Sequence, residues 1–246
     1  RLSWGIPLPF DPDYVTYVWF DALSNYFSVP TALGDPAGTA PLAGDYQPPA
    51  PAPDPPALWP ADVHLIGKDI LKFHAVYWPI MLKAMGLPLP KQLVVHGWWQ
   101  KDDEKMSKST GNIVDPVAVI DDWGLDAFRY YVVRELAIGP DGNWTDEGFA
   151  ARYQAELANG LGNLVNRSLS MLRRYRQGIV PAPAHDLAEA AARVVTETTQ
   201  HWRQNELQDA LIAIWRLVTR ANQYVDQTAP FKLAKDPSQA ARLDQV

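Results

Sequence analysis

Lys105 and Lys108 stand three residues apart, with Met106 and Ser107 between them, Ser109 next and Gly111 just beyond. Two ammonium groups interleaved with hydroxyls can wrap a polyphosphate and stabilise the charge that grows on a departing pyrophosphate. A lysine- and serine-rich turn is otherwise simply solvated. A second group lies earlier in the chain. Trp19, Phe73 and Trp78 can form an aromatic wall that favours a polarizable sulfur, or can be ordinary core. Asp69, just after Gly67 and Lys68 at the expected start of a helix, either caps that helix or faces a ligand ammonium. His74 reads in isolation as a hydrogen-bonded structural histidine. Farther on, Asn163 and Arg167 fall one helical turn apart, where an amide and a guanidinium can meet the same unstacked base or can both face water.

The elements that must position these residues follow from the pattern. Residues 15–20 are β-branched or aromatic after the turn-forming Asp11-Pro12-Asp13, which predicts a buried strand, with a helix over 22–28. Residues 40–60 turn abruptly to proline and alanine and predict an extended surface insertion. A strand over 63–66 runs through Gly67-Lys68-Asp69 into an amphipathic helix over 70–85, and a third strand spans 92–99. That β–α–β order predicts a parallel sheet with a crossover helix. Helices follow over 117–121 and 126–136. From Thr145 onward apolar residues recur at three- and four-residue steps in three long runs, the signature of a helical bundle. The fold class expected is thus α/β, the second half of a Rossmann-like parallel sheet over 1–144, followed by an all-α bundle over 145–246.

Composition bounds the chemistry. The 246 residues are 47% hydrophobic and 20% charged, enough to bury a core. No cysteine is present, which excludes disulfides, thiol redox chemistry and cysteine-held zinc or iron–sulfur groups, and no metal site is expected in this chain. A net charge of -6 argues against a polycation that coats nucleic acid. Charge is nevertheless uneven: residues 1–60 set Arg1 alone against six aspartates, whereas residues 151–180 carry five arginines against Glu156, either a surface suited to phosphates or a solvated helix face. No apolar run approaches the ~20 residues that cross a bilayer and no signal peptide opens the chain, so a cytoplasmic protein without membrane contact is expected. Opening on Arg1 and Trp4-Gly5-Ile6-Pro7 reads as the interior of a longer product.

Lys105-Met106-Ser107-Lys108-Ser109 resembles the KMSKS signature of class I aminoacyl-tRNA synthetases, a string that arises by chance in about one chain of this length in ten thousand. Other segments are similar to the methionyl branch of that family in the right order: Trp4 to Pro7, Tyr17 to Leu23, Ile66 to Ile70, Phe73 to Pro79, Asp126 to Tyr131 and Asn159 to Arg167. The resemblance covers nearly the whole chain, the proline-rich insertion excepted. It implies a methionine–tRNA ligase whose substrates are L-methionine, ATP with Mg2+, and tRNA(Met). By resemblance, Trp19, Ala22, Tyr26, Asp69, Ile70, Phe73 and His74 line the methionine site, with Asp69 near the amino group. Gly67, Lys68, Lys105, Met106, Ser107, Lys108 and Ser109 face ATP, and Lys105 and Lys108 are catalytic. Asn163, Arg167 and Phe231 meet the anticodon, Phe231 standing where the family usually has tryptophan; phenylalanine still stacks on a base.

No HIGH-like phosphate-binding motif and no cysteine pairs of the family's metal-binding insertion occur in the sequence. The resemblance therefore implies the C-terminal portion of such an enzyme, inactive alone, with an N-terminal half on the same or a separate polypeptide. Two other readings compete: a non-catalytic tRNA-binding module derived from a synthetase, and a class I synthetase for leucine, isoleucine, valine or cysteine, which would share the KMSKS string but not the combination of Asp69, Phe73, His74 and Trp78.

Overall fold

The computed structural model describes residues 4–34, 59–107, 111–182 and 184–246. Nearly all of the proline- and alanine-rich stretch, together with Lys108 and Ser109, lies outside the described residues. The chain divides into two compact units, Arg1–His96 and Gly97–Val246.

In the first unit, β1 (Pro7–Leu8) and β2 (Asp11–Val15) pair antiparallel, with Pro7 opposite Val15. The strand expected over 15–20 is corrected here: β2 ends at Val15, and α1 (Val18–Gly34) carries Trp19 and Phe20. The β propensity of the aromatic run is outweighed by a helical period, because Trp19, Leu23 and Phe27 recur at four-residue steps on one face. Leu23 is buried against Trp78, Leu82, Leu87 and Trp59, with Trp19 and Phe27 packed at the margin of that core.

Next, β3 (Val63–Gly67) runs parallel to β4 (Gln92–His96), with Val63 opposite Gln92 and Gly67 opposite His96. This is the expected β–α–β pairing. The crossover is not one continuous helix, however. It runs through a 3-10 turn (Lys68–Ile70) and a π-helical turn (Phe73–Tyr77) before α2 (Trp78–Ala84). Pro79 gives the reason: in an α-helix its ring would meet the carbonyl four residues back, and it has no N–H to donate. The turn widens instead, and the Trp78 N–H bonds to the Phe73 carbonyl. The strand expected to reach Trp99 also stops early, at His96. Gly97 passes so near the Pro140 carbonyl oxygen that a Cβ there would lie 2.0 Å from it.

The second unit opens with β5 (Trp99–Lys101), paired antiparallel with β6 (Glu104–Lys105) and parallel with β7 (Gly142–Trp144). Asp102 and Asp103, both at positive φ, form the tight turn that joins β5 to β6. Asp115 caps α3 (Pro116–Trp123) by accepting the Val117 N–H at 2.9 Å, and α4 (Leu125–Glu135) follows. Ala127, Tyr131, Trp144 and Phe149 are the buried centre of this part. Thr145 then caps α5 (Asp146–Arg152), which passes through a π-helical stretch (Tyr153–Gly162) into α6 (Asn163–Arg176). After the loop come α7 (Ala188–Arg203) and α8 (Leu207–Thr228), packed on each other, then the short α9 (Pro230–Leu233) and α10 (Ala240–Gln245). Among the described residues no strand follows Thr145.

Candidate active site

Of the aromatic wall expected from the sequence, Trp19 and Phe73 come together in the first unit, whereas Trp78 is fully buried in the core with its indole N–H turned to His64. Trp19 and Phe73 stack face to face, ring centroids 4.2 Å apart and planes 8° from parallel, and His74 meets Trp19 edge-on at 5.9 Å. The Tyr26 hydroxyl and His74 Nε2 are 2.9 Å apart, and His74 Nδ1 is 2.9 Å from the Ile70 carbonyl oxygen. A carbonyl only accepts, so Nδ1 carries a proton, and in the neutral ring Nε2 accepts from Tyr26. Burial pushes the Tyr26 phenol up, which keeps it a donor. Thus Trp19, Tyr26, Ile70, Phe73 and His74 come together. Ala22 lies half-buried on the same helix.

Gly67 and Asp69 also meet. A Cβ at position 67 would sit 2.6 Å from the Asp69 Oδ1, so only glycine lets that carboxylate lie over the end of β3. Asp69 is exposed in the turn, and no side chain caps that turn at Gly67. Lys68 is half-buried beside it.

Lys105 ends β6 in the second unit, exposed, with its ammonium 4.6 Å from the centre of the Trp98 ring. Met106 tucks against the cluster of Ala127, Tyr131, Trp144 and Phe149. The string is held by a residue that the sequence reading passed over. Asn112 accepts the Ser107 N–H at 2.9 Å and donates to the Lys105 carbonyl at 3.2 Å, while the Gly111 N–H reaches the Ser107 carbonyl at 3.2 Å. The signal for Asn112 was its position directly after a glycine at the close of a loop, where asparagine side chains bond local backbone.

Among the helices, Asn163 begins α6 on the exposed side, and Arg167 pairs with Asp226 of α8 at 2.6 Å. The guanidinium is therefore already engaged, which its spacing from Asn163 could not reveal. Phe231 is 43% exposed on α9, beside buried Pro230. Deeper in the unit, Glu156 accepts from Tyr130, from Arg134 at 3.0 Å and from Arg152 at 2.9 Å, and Arg152 also reaches Glu135 at 2.5 Å. Burial, with Glu156 adding to it, pushes the Tyr130 phenol far up. Gln208 of α8 donates to the Arg134 and Glu135 carbonyls at 3.1 Å, closing the end of α4. His201 of α7, Glu206 just before α8 and Asp209 of α8 hold ligand atoms within 4.8 Å of one another where α7 gives way to α8. His201 and Glu206 already pair there at 2.7 Å. No helix among the described residues is long and apolar enough to cross a membrane.

The chain as a whole is also similar to known proteins. Residues 1–169 match the family described as tRNA synthetases class I (M). The methionine–tRNA ligase of Halalkalibacterium halodurans is 46% identical over 248 residues, covering 98% of this chain and 35% of that protein. That of Bacillus subtilis is 45% identical over 251 residues, covering 99% and 36%. The chain thus spans about a third of the length of the curated relatives it matches. Among solved structures, Mycobacterium tuberculosis methionyl-tRNA synthetase bound by methionyl-adenylate aligns with a TM-score of 0.78 at 38% identity, over 99% of this chain and 46% of that one. The apo form of the same enzyme gives 0.75 at 35% identity over the same shares. With the family match over residues 1–169, the chain belongs to the class I tRNA synthetases, in the methionine branch of that family.

Proposed function

We propose that this chain supplies the second half of the catalytic domain and the anticodon-binding bundle of a methionine–tRNA ligase. Residues 1–144 form the Rossmann-like part with the KMSKS loop, and residues 145–246 the all-α part. The observation that carries this reading is the wall of stacked Trp19 and Phe73 with the Tyr26–His74 hydrogen bond, an aromatic surface for a thioether beside a polar end. Asp69, over Gly67 at the end of β3, receives the methionine ammonium.

The chemistry is an in-line displacement. The methionine carboxylate oxygen attacks the α-phosphorus of ATP, which enters as its Mg2+ complex, and the bond to the bridging oxygen breaks with loss of pyrophosphate. Lys105 and Lys108 stabilise the negative charge that collects on that leaving group, with Gly67, Lys68 and the hydroxyls of Ser107 and Ser109 placing the nucleotide. A terminal ribose hydroxyl of tRNA(Met) then attacks the adenylate carbonyl, releasing AMP. No covalent enzyme intermediate is needed. Asn163, Arg167 and Phe231 read the anticodon, and the enzyme works in the cytoplasm, where its tRNA is used.

The sequence holds no HIGH-like motif, so ATP must be embraced from its other side by a part of the enzyme beyond these residues, on the same or a separate polypeptide. The test is methionine-dependent ATP–pyrophosphate exchange. The purified chain is expected to be inactive and to become active when joined to the HIGH-bearing part of a family member. Robust exchange by the chain alone sinks the half-site reading. A joined protein that binds tRNA but never exchanges supports a non-catalytic tRNA-binding module instead. Activation of leucine, isoleucine, valine or cysteine in place of methionine would move the chain to another branch.

A further inference from the structure

On β3 the side chains alternate between two faces, and Val63 and Leu65 are exposed while His64 and Ile66 are buried. His64 therefore occupies a core position, 5% exposed, where a polar ring is costly unless its nitrogens are used. Its Nε2 lies 3.2 Å from the indole Nε1 of Trp78, which is itself fully buried. An indole N–H only donates, so the His64 Nε2 is an acceptor and the ring is neutral with its proton on Nδ1. His74 has the same tautomer, for the same kind of reason.

The His64 ring has a second neighbour. Tyr26 packs beside it, ring centroids 4.3 Å apart and planes 47° from parallel, with the His74 and Trp78 rings 5.5 Å and 6.1 Å from Tyr26. Tyr26 is 36% exposed, so its buried side rests on His64, His74 and Trp78. A chain of contacts results: Trp78 donates to His64, His64 supports Tyr26, Tyr26 donates to His74, and His74 donates to the Ile70 carbonyl. The two imidazoles are 6.1 Å apart, and burial followed by the nearby His74 lowers the His64 pKa, which keeps the acceptor lone pair available.

We infer that His64 is a positioning residue of the methionine pocket, its Nε2 fixing the Trp78 indole against which Tyr26 packs, so that Tyr26 presents its hydroxyl to His74. This rests on the methionine reading of the pocket, and the test separates the two. The chain is labelled with 15N-histidine, and long-range correlation spectra report the tautomer of each ring. Methionine titration by calorimetry reports affinity. Wild type should show His64 and His74 both protonated on Nδ1. His64→Gln keeps an acceptor for Trp78 and should hold the His74 signal and methionine affinity within about threefold of wild type. His64→Phe keeps an aromatic ring of similar volume but leaves the Trp78 indole N–H without a partner, so Trp78 no longer holds Tyr26 in place. It should shift that indole proton, broaden the His74 signals and weaken methionine about tenfold.

Unchanged His74, Trp78 and methionine signals in His64→Phe overturn the inference. So does an equal loss in His64→Gln and His64→Phe, which marks packing alone. If wild type itself does not bind methionine, the pocket assignment fails. The imidazole spectra then decide separately whether His64 orders Tyr26 and His74.

Discussion

Trp19 lies flat on Phe73, with ring centroids 4.2 Å apart and planes within 8°, although one belongs to α1 and the other to the π-helical turn before α2. Such a pair is worth about 0.5–1.5 kcal/mol beyond its buried area. A thioether placed at the wall gains a further ~0.3–1.5 kcal/mol over a methylene of the same shape. Methionine should therefore bind several-fold tighter than norleucine, and Trp19→Leu should erase most of that preference while leaving Leu23 and the core beneath it folded. Calorimetric titration with both amino acids measures the ratio. An unaltered ratio in the variant removes Trp19 from sulfur recognition.

Asn112 ties the two ends of the Lys105–Ser107 stretch through one accepted and one donated hydrogen bond. Each is worth about 0.5–1.5 kcal/mol. In a complete enzyme Asn112→Ala should slow adenylate formation about tenfold with methionine affinity unchanged. Asn112→Asp, which keeps the acceptor for the Ser107 N–H, should fall between. Lys108→Ala should cost more, on the order of 2–4 kcal/mol of transition-state energy. Single-turnover adenylate formation ranks the three, and an Asn112→Ala rate equal to wild type would dismiss the clamp.

Arg167 and Asp226 form a pair that is more than a third exposed on each side, so the fold gains at most about 1 kcal/mol from it. Arg167→Ala should leave the melting temperature and pyrophosphate exchange nearly intact while slowing tRNA(Met) charging. Loss of both activities together would indicate misfolding rather than a lost anticodon contact.

Acid should weaken the first unit through His64. Burial holds its folded pKa below the ordinary histidine value of about 6.5, so as pH falls the unfolded chain takes up the proton first. The contribution is complete above that value and is lost as pH falls from it towards the folded pKa. Urea midpoints followed by tryptophan fluorescence should decline below about pH 6.5, before the carboxylates titrate near pH 4. His64→Gln should flatten that decline, and an identical profile would assign it to another group.

Much was legible in the sequence because it depends on local spacing. The KMSKS string, the parallel β3–β4 pairing and the three long helices after Thr145 follow from residue order, alternation and the 3.6-residue period. The same local logic misread residues 15–20, where aromatic and β-branched side chains suit a strand but Trp19, Leu23 and Phe27 find their partners only as a helix face. It also missed the widened turn at Phe73–Tyr77, since the penalty of Pro79 can be relieved in several ways and the choice depends on what packs beneath.

The sequence by itself determined which side chains were available: two lysines in a loop, an aromatic set, and a carboxylate after a glycine. Only the tertiary structure decided their states. His74 is held between the Ile70 carbonyl and the Tyr26 hydroxyl, His64 accepts from Trp78, and Arg167 is engaged because Asp226, far along the chain, arrives beside it. A hydrogen bond or ion pair needs its partner within about 3 Å, and no pattern of neighbours in sequence fixes a distance across a fold.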